Sequence, residues 1–274
     1  MRRKLQWILL RAFALVVINK LGGHMKRVCA GKKTFNYRVF GCATLMLAAF
    51  AISTAVMAES VDVRVIGTIV PGACTPTLGG GGVVDYGTIS ATTLDPTNYT
   101  VLPVKQVPFG VICQAPVKVA IKAINGRKGT LAGAVESGLE GAAVAPAGSV
   151  VSPSGSFVVV GLGLDGSTPI GGYTISLSST GLITESGSVV PVYRNSDNDP
   201  TNWRTGTNGL SLYLPFPVTR FLSWSAPGGV LAPLAFTNFS GELSVQAYLN
   251  KRSLLDTSHE IKLDGLTTIE LVYL

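Results

Sequence analysis

The chain reads as an all-β protein whose antiparallel strands form a sandwich or barrel, and three observations predict this. Beyond residue 58, apolar residues recur at every second position in one segment after another, as on strands with one buried face. Glycine supplies 28 of the 216 residues from Glu59 to Leu274, about 13%, against a usual share of about 7%, so turns are frequent. Nothing in that stretch repeats with the 3.6-residue period of an amphipathic helix; helix is expected only ahead of it.

Residues 1–58 carry ten Lys/Arg and no acidic residue, run apolar from Val39 to Met57, and close on Val56-Met57-Ala58. A basic region, an apolar centre and a small-x-small cut site together describe a signal segment. Met25-Lys26-Arg27 opens a second basic region, which makes Met25 a second candidate start. The rival is a retained anchor, because residues 39–58 are long enough to cross a bilayer. The polar, strand-like sequence after Ala58 favours cleavage. The expectation is a leader over 1–58, one domain over 59–274, and a protein delivered to the periplasm or the cell surface.

Removing the leader changes the charge. The whole chain has a formal charge of +7, but residues 59–274 hold 12 Lys/Arg against 15 Asp/Glu, a balance near −3. With no basic cluster in that part, nucleic acid is excluded as a partner.

Strands are expected over 61–70, 83–86 and 107–113. The next, over 117–123, has Val117, Val119, Ile121 and Ala123 on one face, and others follow at 157–162, 173–177, 189–193 and 210–214. Leu243, Val245, Ala247 and Leu249 alternate with polar residues, and the last strand is expected over 263–274. In that last strand Ile269, Leu271 and Tyr273 share a face with Leu263, while Leu266, Val272 and Leu274 share the other, so its edge is a hazard if left uncovered. The stretch 132–156 reads as a weak strand between long loops, and 195–209, rich in Asn, Asp, Thr and Gly, reads as a surface loop.

Cys29 and Cys42 fall in the leader, which leaves Cys74 and Cys113 as the pair in the remaining chain. An exported chain with two cysteines usually bonds them. Closing a loop of that size stabilises a fold by roughly 4 kcal/mol in the chain-entropy picture. A metal site would need more ligands, since His259 is the one histidine after the leader. No cofactor or metal is expected.

Chemical motifs are sparse. Gly161-Leu162-Gly163-Leu164-Asp165-Gly166 matches the dinucleotide fingerprint, but Pro169, Gly171 and Gly172 forbid the helix that must follow it, so a hairpin turn is expected. Gly79 to Gly82 form a flexible turn with no Lys-Ser/Thr after it, and Asp197-Asn198-Asp199 lacks the glycine and distal glutamate of a calcium loop. Catalysis lacks a base: His259 lies in a polar stretch, and no carboxylate spacing stands out, so no catalytic residue is assigned. Trp203 and Trp224, with Arg220 near them, suit stacking on sugar rings and mark an alternative carbohydrate-binding role for a surface glycan. The competing reading places these rings in the core.

Several segments resemble known proteins. The run from Val65 to Cys74 resembles the first strand and first cysteine of a chaperone-usher fimbrial subunit; Val111-Ile112-Cys113 resembles the strand that holds its partner, and Tyr273 is penultimate as in such subunits. Val84-Asp85-Tyr86-Gly87, Cys113-Gln114-Ala115-Pro116, Leu222-Ser223-Trp224 and Leu263-Asp264-Gly265 are closer still to a proteobacterial fimbrial-like periplasmic family of unassigned function. The resemblance implies an immunoglobulin-like sandwich lacking its last strand. It implies a groove filled first by a periplasmic chaperone, then, after passage through an outer-membrane usher, by another fimbrial subunit. The role implied is non-catalytic, in pilus assembly or adhesion. Two departures stand against polymerisation: few residues precede the first strand, and Ile261 stands where such subunits tend to carry glycine.

Overall fold

The computed structural model describes residues 60–67, 72–150, 157–195, 199–206 and 210–274. The leader expected over 1–58 lies outside them. Nine strands of four or more residues carry the described fold: β1 Cys74–Leu78, β2 Lys105–Val117, β3 Val119–Asn125, β4 Val158–Gly161, β5 Gly171–Leu177, β6 Val190–Arg194, β7 Phe221–Ser225, β8 Phe236–Leu249 and β9 Thr267–Tyr273. Among the described residues helix is confined to three short 3-10 turns.

The strands form two antiparallel sheets. The larger runs β1-β2-β8-β5-β4 and ends on Ala143–Val144; the smaller runs β6-β7-β3-β9, with Arg204–Thr205 beside β6. Inward side chains from both, among them Phe109, Val111, Ile121, Ile175, Leu222, Trp224 and Leu243, make one apolar core. Aromatic packing dominates its centre, where the rings of Trp224 and Phe239 stack with centroids 3.7 Å apart.

Cys74 and Cys113 stand directly opposite each other on β1 and β2 and form the expected disulfide. Near the start of β8 the register with β2 shifts between Phe236 and Asn238. The Glu185 carboxylate accepts the N–H groups of Thr237 and Asn238 there at 2.8 and 2.9 Å, satisfying donors that the bulge frees.

Several expected strands move. Residues 61–67 form no strand, and the first described strand begins at Cys74; the alternation of Val61, Val63 and Val65 joins no ladder among the described residues, and these side chains are exposed. The rest of that expected strand, 68–70, lies outside the described residues. Residues 83–86 and 263–266 likewise join no described strand ladder, although their neighbours β1 and β9 are true strands. The pair Leu210–Ser211 is all that remains of the strand expected over 210–214, and among the described residues of 132–156 the strand is Ala143–Val144. The strand expected at 173–177 is β5, but all seven of its residues are buried, so it lies covered on both faces. The fingerprint-like glycine run is the tight hairpin of Leu164–Asp165 and Thr168–Pro169, turning at Gly166 and Ser167.

Candidate functional site

The two sheets do not close along one flank. Among the described residues β1 is the edge of the larger sheet and β9 the edge of the smaller, each paired on one side only. Between them runs an apolar trough with a cavity volume of 630 Å³. Its floor is the inner face of the larger sheet, with Val107 from β2, Tyr173 and Ile175 from β5, and Leu243, Val245 and Ala247 from β8. A second hollow of 540 Å³ continues it, sharing Gly87, Glu260, Ile261 and Leu263 and reaching Leu94, Leu249 and Leu255.

Two extended segments wall this trough. Residues 83–87, just after β1, form one, and residues 260–266, just before β9, form the other. Both alternate as strands do: Val84 and Tyr86 are half-buried around exposed Asp85, and Ile261 and Leu263 are half-buried around exposed Lys262. All four apolar side chains pack against the main core. Among the described residues, Val84, Asp85, Tyr86, Ile261, Lys262 and Leu263 make no backbone-to-backbone hydrogen bond. Strand-like sequence has therefore produced strand-like alternation of burial on both sides of a gap, with main-chain donors and acceptors that meet no partner among the described backbone.

Local chemistry holds each wall. The Tyr86 hydroxyl accepts the Ala247 N–H at 3.1 Å and donates to the Val245 carbonyl at 3.4 Å, reaching the backbone of β8 where its ladder with β2 ends at Val245. Burial raises the pKa of this hydroxyl above its ordinary value. The Gly87 N–H donates to Asp85 Oδ1 at 2.7 Å, and Gly87 adopts φ +68°, a conformation glycine takes without strain, so the wall turns there. On the other side Arg127 grips Asp264 with Nε to Oδ2 at 2.8 Å and Nη2 to Oδ1 at 2.6 Å. The Arg127 hydrogen bonds hold the Asp264 carboxyl below its usual range. Gly265 lies against the floor, where an added Cβ would sit 2.9 Å from the Tyr173 ring. The segments Val84-Asp85-Tyr86-Gly87 and Leu263-Asp264-Gly265 are thus the two walls themselves.

One polar station interrupts the apolar floor. Tyr173 and Tyr213 both place their hydroxyls on Thr267 Oγ1, at 2.6 and 2.9 Å. Burial pushes the Tyr173 hydroxyl up to about 12, against the Thr267 hydrogen bond, so it stays protonated at any ordinary pH. At the far end the Cys74 N–H donates to the Tyr273 hydroxyl at 2.9 Å, which ties the disulfide-bearing edge to the last strand. Ile269 and Leu271 face the core, and Val272 packs on the outer face with Ala120, Val192, Trp203 and Phe221.

The sugar-stacking residues are not brought together. Trp224 is fully buried in the core between the sheets. Trp203 is buried on the opposite face of the smaller sheet, with its indole N–H donating to the Pro200 carbonyl at 3.0 Å. Side chains of β7 alternate, so Phe221 points to the Trp203 cluster while Leu222 and Trp224 point inward. Arg220 is engaged by Asn195 Oδ1 at 3.1 Å and the Ser211 carbonyl at 3.2 Å, with its guanidinium over Tyr193. None of the three offers a free face to a ring. Asp197 and Asn198 lie outside the described residues; Asp199 accepts from the Thr201 N–H and hydroxyl. His259 lies in an exposed loop, with Nε2 2.9 Å from Asp165 Oδ1.

Comparison with known proteins places the chain among relatives. Residues 63–174 match the family model described as Protein of unknown function (DUF1120). Protein GltF of Escherichia coli strain K12 is 31% identical over 252 residues, covering 85% of this chain and 95% of that protein. Uncharacterized protein YhcF of the same strain is 26% identical over 231 residues, covering 82% and 95%. No solved structure matches the chain.

Proposed function

The chain belongs to the family of Protein GltF, and we propose that it is an exported fimbrial-like structural protein serving pilus assembly or cell-surface adhesion through strand complementation. On this reading the two sheets are an immunoglobulin-like sandwich from which one edge strand is missing. The observation that carries it is the pair of open, strand-like walls at 83–87 and 260–266 over an apolar floor. An extended segment laid between them would form main-chain bonds to both walls and press every second side chain into the trough.

The donors are a periplasmic chaperone first and, after passage through an outer-membrane usher, a neighbouring subunit. Residues 60–67 have the composition of such a donor: Val61, Val63 and Val65 are exposed and alternate with Asp62 and Arg64. Because the first strand starts at Cys74, these residues are not consumed by it. The leader over 1–58 directs export, and the work is done in the periplasm or at the cell surface. The apolar floor has no catalytic assignment.

Co-expression tests the reading. With a cognate periplasmic chaperone the yield of soluble protein should rise severalfold; equal yield and equal thermal stability without it would contradict an incomplete sandwich.

A further inference from the structure

One wall of the trough is fastened in part by a histidine, the side chain whose charge changes most readily in the physiological range. The chain from Asp256 to Leu266 has no regular secondary structure, yet it forms one side of both hollows. Apart from the packing of Ile261 and Leu263 and the Gly126 N–H that donates to the Leu266 carbonyl at 2.9 Å, it is held at two places. Near β9, Asp264 is gripped by Arg127 and its N–H donates to the Leu162 carbonyl at 3.1 Å. Near its start, His259 Nε2 meets Asp165 Oδ1, on the Leu164–Asp165 strand of the hairpin, at 2.9 Å, and His259 Nδ1 lies 3.6 Å from Asp256 Oδ2. The Arg127 fastening keeps its charge throughout the physiological range. The His259 fastening does not.

We propose, resting on the strand-accepting reading above, that His259 is a proton-operated latch on this wall. Protonated, it pins the wall to the hairpin through Asp165 and holds the open main chain of residues 261–263 in register with an inserted strand. Neutral, it keeps at most a hydrogen bond to the Asp165 carboxylate without the ion pair, the wall moves more freely, and a bound strand exchanges faster.

The charges around the imidazole act in one direction. Asp165 from the hairpin and Asp256 from its own loop are the charged groups that face it among the described residues, and both are acidic. The hydrogen bond and charge of Asp165, followed by the charge of Asp256, raise the His259 pKa above its ordinary 6.5. A raised folded pKa places the full latch contribution below about pH 6.5 and removes it as pH rises through the folded value. Acid therefore tightens the wall and mild alkali loosens it.

The test follows the Asp264 amide in the full-length chain by hydrogen exchange, corrected for the intrinsic effect of pH. Protection should fall roughly two- to fivefold between pH 6 and pH 8.5, the range corresponding to an exposed ion pair. In His259→Gln, which keeps a donor without the charge, and in Asp165→Asn, it should be flat. The same slope in wild type and both variants would overturn the latch.

A labelled synthetic peptide with the sequence of residues 60–67 supplies the second measurement. Its dissociation should quicken by a similar factor over the same range in wild type and stay constant in the variants; a pH-independent rate in wild type would also overturn the latch. Absence of peptide binding at every pH would refute strand acceptance instead, and the latch would still be judged by the Asp264 amide.

Discussion

The middle of the larger sheet and the walls of the trough are written in the same local pattern but end in different structures. β8 pairs with β2 over residues 236–245 and with β5 over residues 243–249, and its apolar face lies in the core. The walls at 83–87 and 260–266 also alternate apolar and polar residues, and their apolar side chains also reach the core, but no strand lies beside them. What separates the two regions is the neighbour. Period-two alternation encodes which face is buried; whether the backbone is also paired depends on a chain segment being available at that edge.

The contrast can be broken first where it is strongest, at the closed side. Trp224 is fully buried and stacked on Phe239, so Trp224→Ala should cost about 3–5 kcal/mol in urea-induced unfolding, enough to unfold a marginal domain. A loss below 1 kcal/mol would mean the core is not organised around this ring.

The disulfide comes next. Cys74→Ser and Cys113→Ser should each lower stability by up to roughly 4 kcal/mol, to the same extent, and the double variant should be no worse than either single one, because all three break one bond. The Tyr273 hydroxyl holds the Cys74 N–H, so the same lesion should also loosen the end of β9. Unequal single variants, or an unchanged Tm under reductant, would separate the disulfide from the stability of this edge.

Much of the β architecture was legible in the sequence. β3, β5, β8 and β9 all contain segments whose alternation predicts them, and Cys74 and Cys113 were the available pair after the leader. β7 was missed because Phe-Leu-Ser-Trp-Ser does not alternate in hydropathy; all five residues are buried, with the Ser223 hydroxyl donating to the Val119 carbonyl at 2.7 Å. The walls were over-read as strands for the reason given above. The trough itself had no linear signature, since it joins Tyr86 to Val245 and Arg127 to Asp264 across more than a hundred residues. Its walls surfaced only as short motifs containing Asp85, Gly87, Asp264 and Gly265, whose roles are a turn, an ion pair and a close approach. Trp203 and Trp224 follow the reading that places the rings in the core: the two indoles, near one another in sequence, pack on opposite faces of one sheet.

The central claim is that the flank between 83–87 and 260–266 is open to a strand. It is tested most directly by recording the exchange rates of the backbone amides of Val84, Tyr86, Ile261 and Leu263 with and without a synthetic peptide of sequence 60–67. Fast exchange on both walls in the free protein, with protection appearing on both as the peptide saturates at one per chain, is the predicted result. Amides already protected in the free protein, or unchanged at saturating peptide, would contradict it.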